Sequence, residues 1–161
     1  MTEKAPITSP LGNSERDITG KALQGTLVDM VDLHLTAKQA HWNVVGTHFR
    51  EVHLHLDELV DSAREFADNV AERAATIGIS PDARASTVAE GSGVPNMDAG
   101  WQQDRNVIET VVENLATLIR RLRARIDETD KTDLVTQDLL LSISAKLEET
   151  HWMWQAKLAD G

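Results

Sequence analysis

Five side chains able to bind a hard or intermediate metal ion stand close together in the sequence: His41, His53, Asp57, Asp68 and Glu72. They fall in a stretch that otherwise patterns as two amphipathic helices. His53 and Asp57 are four apart, as are Asp68 and Glu72, so each pair projects from one face of a helix. Asp57 and Asp68 share a stripe about three turns apart, roughly 16 Å along the axis at helical rise. One copy therefore cannot close all five ligands around one centre. If the helix packs antiparallel on its own copy across a two-fold axis, Asp57 of one chain approaches Asp68 of the other. Such an isologous dimer creates two equivalent intersubunit sites. Two imidazoles with three carboxylates suit Fe(II), whose intermediate hardness accepts both donor types.

The elements that must position these residues follow from apolar periodicity. Residues 1–13, with Pro6, Pro10 and Gly12, are expected to form a flexible arm, leaving 14–161 as one domain. Ser14, followed by Glu15 and Asp17, marks a helix start. From there Leu23, Leu27, Met30, His34, Ala37 and His41 trace one face to about Val45. Gly46 and Thr47 supply a stop and an N-cap, and a second helix runs from His48 to Thr76. The short link makes the two helices antiparallel neighbours. His41 and His53 then stand at the same height, each about 8–9 Å from the turn.

A long connection, 77–99, carries one short helix around Ser86–Glu90. A third long helix is expected from Asp98 through Ile126, and a fourth after a polar turn at Glu128–Thr132. There is no internal repeat. Four long helices with one extended second-to-third crossover describe an all-α, ferritin-like four-helix bundle.

Composition supports that class. Hydrophobic residues make up 41% of the chain and aromatics only 4%, with no tyrosine, a mix that suits helices. The absence of cysteine excludes disulfides, thiolate metal sites and thiol catalysis. No membrane span or signal-peptide core is present, so a cytoplasmic location is expected. A net charge of −10 disfavours passive binding to nucleic acid or anionic membrane and favours attracting cations.

Three segments carry a resemblance to a known family. These are Lys38-Gln39-Ala40-His41-Trp42-Asn43, His53-Leu54-His55-Leu56-Asp57-Glu58 and Asp68-Asn69-Val70-Ala71-Glu72-Arg73. With Thr150-His151-Trp152-Met153-Trp154-Gln155-Ala156 near the end, they resemble the Dps family, the mini-ferritins named for DNA protection during starvation. The resemblance covers about residues 15–158. It implies a hollow homo-dodecamer in which His41, His53 and Asp57 of one subunit meet Asp68 and Glu72 of its neighbour at two-fold interfaces. It also implies ferroxidase activity: iron, as Fe(II), is oxidised, preferably by hydrogen peroxide rather than dioxygen, and stored as ferric mineral. Asp133 and Asp138 lie in a segment similar to the family's three-fold pore, although Ser142 stands where some members carry another acid. Alternatively, Asp133 decorates the first turn of the fourth helix. Trp42 and Trp152 are candidate electron sinks for stray oxidising equivalents, with packing between helices the favoured alternative.

Other features point less far. His34, His48 and His55 are accessory metal candidates. Glu148 and His151 have the spacing of an intrahelical di-iron motif but lack the second copy such a centre needs. Residues 1–21 balance three cations, Lys4, Arg16 and Lys21, against three acids, so tight DNA binding is not expected. The run Arg120, Arg121, Arg123 and Arg125 is read as dipole complements and ion-pair partners. Two other classes keep a place: a nucleoid-associated DNA-binding shell with secondary metal chemistry, and a hydrolase using metal-activated water at the same site.

Overall fold

The computed structural model describes residues 6–159. Its order is α1 (Asn13–Asn43), β1 (Val44–Val45), α2 (Phe49–Thr76), α3 (Ala85–Gly91), β2 (Gln102–Gln103), α4 (Asp104–Thr129) and α5 (Leu134–Ala156). This is the all-α bundle with a short crossover helix. The helix α1 lies along α2, α4 lies along α5, and the crossover returns α4 beside α1. The apolar stripes close on one core. Leu23, Met30, Leu56, Val70, Leu115, Leu122, Leu140, Leu147 and Trp154 are all essentially inaccessible. Each such large side chain stabilises the bundle by about 1.5–3 kcal/mol relative to exposure.

Several boundaries differ from the sequence expectation, each for a visible reason. The helix α1 begins at Asn13, and of the expected arm only residues from Pro6 onward lie within the described region; there Leu11 packs against the core. At its other end α1 stops at Asn43, because Val44 and Val45 extend and pair in parallel with Gln102 and Gln103. Thr47 is not the cap of α2; His48 is, and its backbone N–H is taken by the Asp104 carboxylate 2.7 Å away. The third long helix starts at Asp104 rather than Asp98, since Gly100 turns the chain with φ +94° and 102–103 are held in the strand pair. The last long helix starts after Asp133, whose side chain accepts from the N–H groups of Val135 and Thr136.

A buried ion cluster fixes the crossover to the bundle. Asp29, fully buried on α1, accepts from Arg121 at 2.9 Å, Arg125 at 2.7 Å and the Gly93 N–H at 2.8 Å. With Arg123 paired to Glu148, three members of the arginine run are ion-pair partners, as their spacing suggested. Removing Asp29 would strand two guanidinium groups, which is why a buried pair is costly to break.

Candidate metal centre

The hairpin brings His41 and His53 face to face. Their rings stack with centroids 3.6 Å apart and planes 19° from parallel. Each ring also reaches the other's backbone: His41 Nδ1 lies 2.8 Å from the carbonyl of His53, and His53 Nδ1 lies 2.8 Å from that of His41. A carbonyl only accepts, so both Nδ1 atoms must carry the proton. In the neutral rings the lone pair is then on Nε2, the form in which imidazole binds a metal. The His41 carbonyl is free for this role because it lies in the last turn of α1, where carbonyls lack intrahelical donors.

Asp57 lies beside His41. One oxygen is 3.4 Å from His41 Nδ1 and 2.5 Å from the Lys38 ammonium. The hydrogen bond from Lys38 holds the Asp57 carboxyl below its ordinary range, with His41 adding to the effect. Helical spacing alone places Lys38 here. It precedes His41 by one turn as Asp57 follows His53 by one turn, so the antiparallel hairpin sets them level.

Asp68 and Glu72 are placed differently. Both are exposed farther along α2, and among the described residues neither carboxylate has a hydrogen bond or ion pair. Among the described residues, no three of His, Asp and Glu are grouped to hold a metal within the single chain. His41 and His53 stack and Asp57 lies beside His41, without forming a complete metal-holding set in one chain, and Asp68 and Glu72 stand apart on the same helix.

The remaining candidates separate clearly. Asp133 is buried, and Arg73 donates to it at 2.6 Å while Arg73 Nε donates to Thr136 at 3.0 Å. Burial would raise its pKa, but the Thr136 and Arg73 hydrogen bonds outweigh this and hold it below the usual value. Its carboxylate is therefore already engaged as the cap of α5, whereas Asp138 is exposed. Trp42 and Trp152 are 64% and 66% exposed, so neither is buried between helices of this chain. The buried indole is Trp154, stacked on His55 at 4.4 Å. Burial and the nearby Lys157 lower the His55 pKa, and burial and Arg64 lower that of His34. Glu148 is paired with Arg123 rather than with His151. No described helix is long and apolar enough to cross a membrane.

A bundle with this crossover, carrying a stacked histidine pair in its first hairpin, defines a ferritin-like protein. A ferritin-like domain model matches residues 20–161. Among curated relatives, DNA protection during starvation protein 2 of Deinococcus radiodurans is 36% identical over 155 residues, 96% of this chain and 64% of that protein. The DNA protection during starvation protein of Mycolicibacterium smegmatis is 38% identical over 143 residues, 84% of this chain and 74% of its own length. The chain thus spans just under two thirds of the first relative. Among solved structures, Dps from Microbacterium arborescens in the high iron form superposes with a TM-score of 0.88 at 33% identity, covering 96% of this chain and 99% of that one. The chain belongs to the Dps family.

Proposed function

We propose that this protein oxidises Fe(II) at sites completed between two copies and retains the ferric product inside a closed homo-oligomer, a dodecamer by family resemblance. The observation that carries the proposal is the reciprocal clamp between His41 and His53. It leaves the Nε2 lone pair of each imidazole unprotonated before any metal arrives, with an Asp57 oxygen 3.4 Å from His41 Nδ1. Asp68 and Glu72, exposed and unengaged within their own chain, are the carboxylates that a second copy would bring. The high iron form of the Microbacterium relative supports iron as the substrate.

The chemistry balances with hydrogen peroxide as oxidant. Two Fe(II) each give one electron, the O–O bond breaks, and two protons complete two water molecules. Delivering both electrons together avoids a hydroxyl radical. The carboxylates neutralise charge as iron goes from the divalent to the trivalent state, an oxygen-donor preference that grows with metal hardness. Asp138 remains the exposed acid for guiding cations toward the shell interior. A net charge of −10 is consistent with cation uptake and opposes unaided binding to phosphate.

The test is anaerobic loading with Fe(II) followed by peroxide, recording ferric absorbance and the amount of each reactant consumed. The expected result is about two Fe(II) per peroxide, consumed faster than by free iron. A rate equal to that of free iron would remove the ferroxidase activity.

A further inference from the structure

The histidine clamp depends on where α1 ends. Had α1 continued past Asn43, the His41 carbonyl would accept from the backbone four residues on and be less available to the His53 ring. What stops α1 is the crossover. Val44 and Val45 are drawn into parallel pairing with Gln102 and Gln103, and Asp104 follows directly.

Asp104 is the bolt of this arrangement. One carboxylate oxygen accepts the His48 N–H at 2.7 Å, at the N-terminus of α2. The other accepts the Arg105 N–H at 2.8 Å, at the N-terminus of α4. A single negative charge therefore serves two helix N-termini, where the aligned peptide dipoles favour it. It sits directly on Gly46, the turn residue between α1 and α2, whose φ is +127°. A Cβ at Gly46 would lie 2.7 Å from the Asp104 carboxyl carbon, so the bare glycine is needed for the close approach as well as for the turn. The hydrogen bond to His48 also keeps the Asp104 carboxyl ionised below its ordinary pKa.

We infer that Asp104 is a positioning residue for the metal centre: by locking the Gly46 turn to the crossover, it holds the backbone carbonyls that fix both His41 and His53 as Nδ1–H tautomers. The inference rests on the reading of these two rings as iron ligands, but its primary readout does not. Asp104 touches neither ring. It acts by setting the height of α1 against α2, on which both 2.8 Å ring-to-carbonyl contacts depend.

The experiment uses the full chain in its assembled form, labelled with ¹⁵N-histidine, sedimented and examined by magic-angle-spinning NMR above the ordinary imidazole pKa. Resonances of the pair are assigned with His53→Ala. The unsubstituted protein is expected to show only Nδ1–H tautomers at both positions. In Asp104→Ala a second population, with the proton on Nε2, is expected, and Co(II) binding should weaken several-fold, toward the roughly tenfold typical of disturbed ligand support. Asp104→Asn keeps one acceptor oxygen and should fall between the two. It also stands in should Asp104→Ala fail to assemble. Retention of pure Nδ1–H tautomers in the assembled variant would overturn the inference. A tautomer change with no Fe(II) oxidation even in the unsubstituted protein would uphold the positioning role and instead remove the proposed ferroxidase function.

Discussion

The two halves of the candidate metal centre are built on opposite plans. At the hairpin end, His41 and His53 are stacked, reciprocally hydrogen bonded and flanked by Asp57 and Lys38. About three turns down the same helix, Asp68 and Glu72 face outward with no side-chain partner among the described residues. The imidazole half is preorganised by the chain's own fold. The carboxylate half is bare, which is what an isologous interface requires of groups that must serve a second copy. A neutral imidazole offers one lone pair, on whichever ring nitrogen lacks the proton, so its tautomer decides which atom can bind metal, whereas ionised carboxylates offer lone pairs in every rotamer. The difference in support follows the difference in chemistry.

The largest expected effect comes from deleting the bare half. Asp68→Ala with Glu72→Ala should reduce peroxide-driven Fe(II) oxidation to the rate of free iron, while far-ultraviolet circular dichroism and thermal stability stay near those of the unsubstituted protein. Exposed carboxylates without partners contribute little to folding. A large loss of stability in this variant would show that these side chains carry structure and would erase the contrast.

The carboxylate half is bare only in its side chains. Arg73, next to Glu72, is tied to Asp133 and Thr136, so the last turn of α2 is fastened to the start of α5. Asp133→Ala removes an N-cap and strands a mostly buried guanidinium, and should cost about 2–4 kcal/mol in chemical denaturation. The pH dependence has a definite sign. Because the folded-state pKa of Asp133 is held below 3.8, its stabilising contribution is present above that value and is lost as pH falls through the folded pKa. Asp133→Asn should therefore flatten the acid limb of the stability profile below about pH 4. An unchanged limb would mean that the clamp does not support this end of the helix.

A smaller effect sharpens the other half. The Lys38 ammonium occupies an oxygen of Asp57 that a metal would use. Lys38→Met should return the Asp57 pKa toward its usual value and strengthen Co(II) binding roughly two- to fivefold at neutral pH, the modest gain expected from freeing a partly exposed ion pair. Weaker binding in a calorimetric titration would instead make Lys38 a supporting group.

The contrast between halves also marks what was legible in the sequence. The five candidate ligands were readable because helical spacing converts directly into faces and heights, and the level placement of His41 and His53 needs only a short turn. The buried stripes of α2, α4 and α5 were readable for the same reason: Leu140, Ile143, Leu147 and Trp154 share one face. Trp152 lies two positions from Trp154, about 200° around the helix, and its exposure follows from that same phase. The Asp104 bolt was not legible. It depends on a contact across 56 residues, made after an irregular crossover, and no periodicity announces it. The engagement of Asp133 by Arg73 is likewise a contact across 60 residues, whereas its place in the first turn of α5, which it caps locally, was readable.

The central claim, that each site is shared between two copies, is tested most directly by complementation. One variant carries His41→Ala and His53→Ala, the other Asp68→Ala and Glu72→Ala, and each alone should be inactive in the Fe(II)–peroxide assay. After co-assembly from mixed denatured chains, a mixed dimer holds one site made entirely of intact residues and one that lacks both halves. Random pairing then predicts recovery of about a quarter of the unsubstituted activity. No recovery, with mixed dimers demonstrated by mass spectrometry, would contradict the intersubunit site.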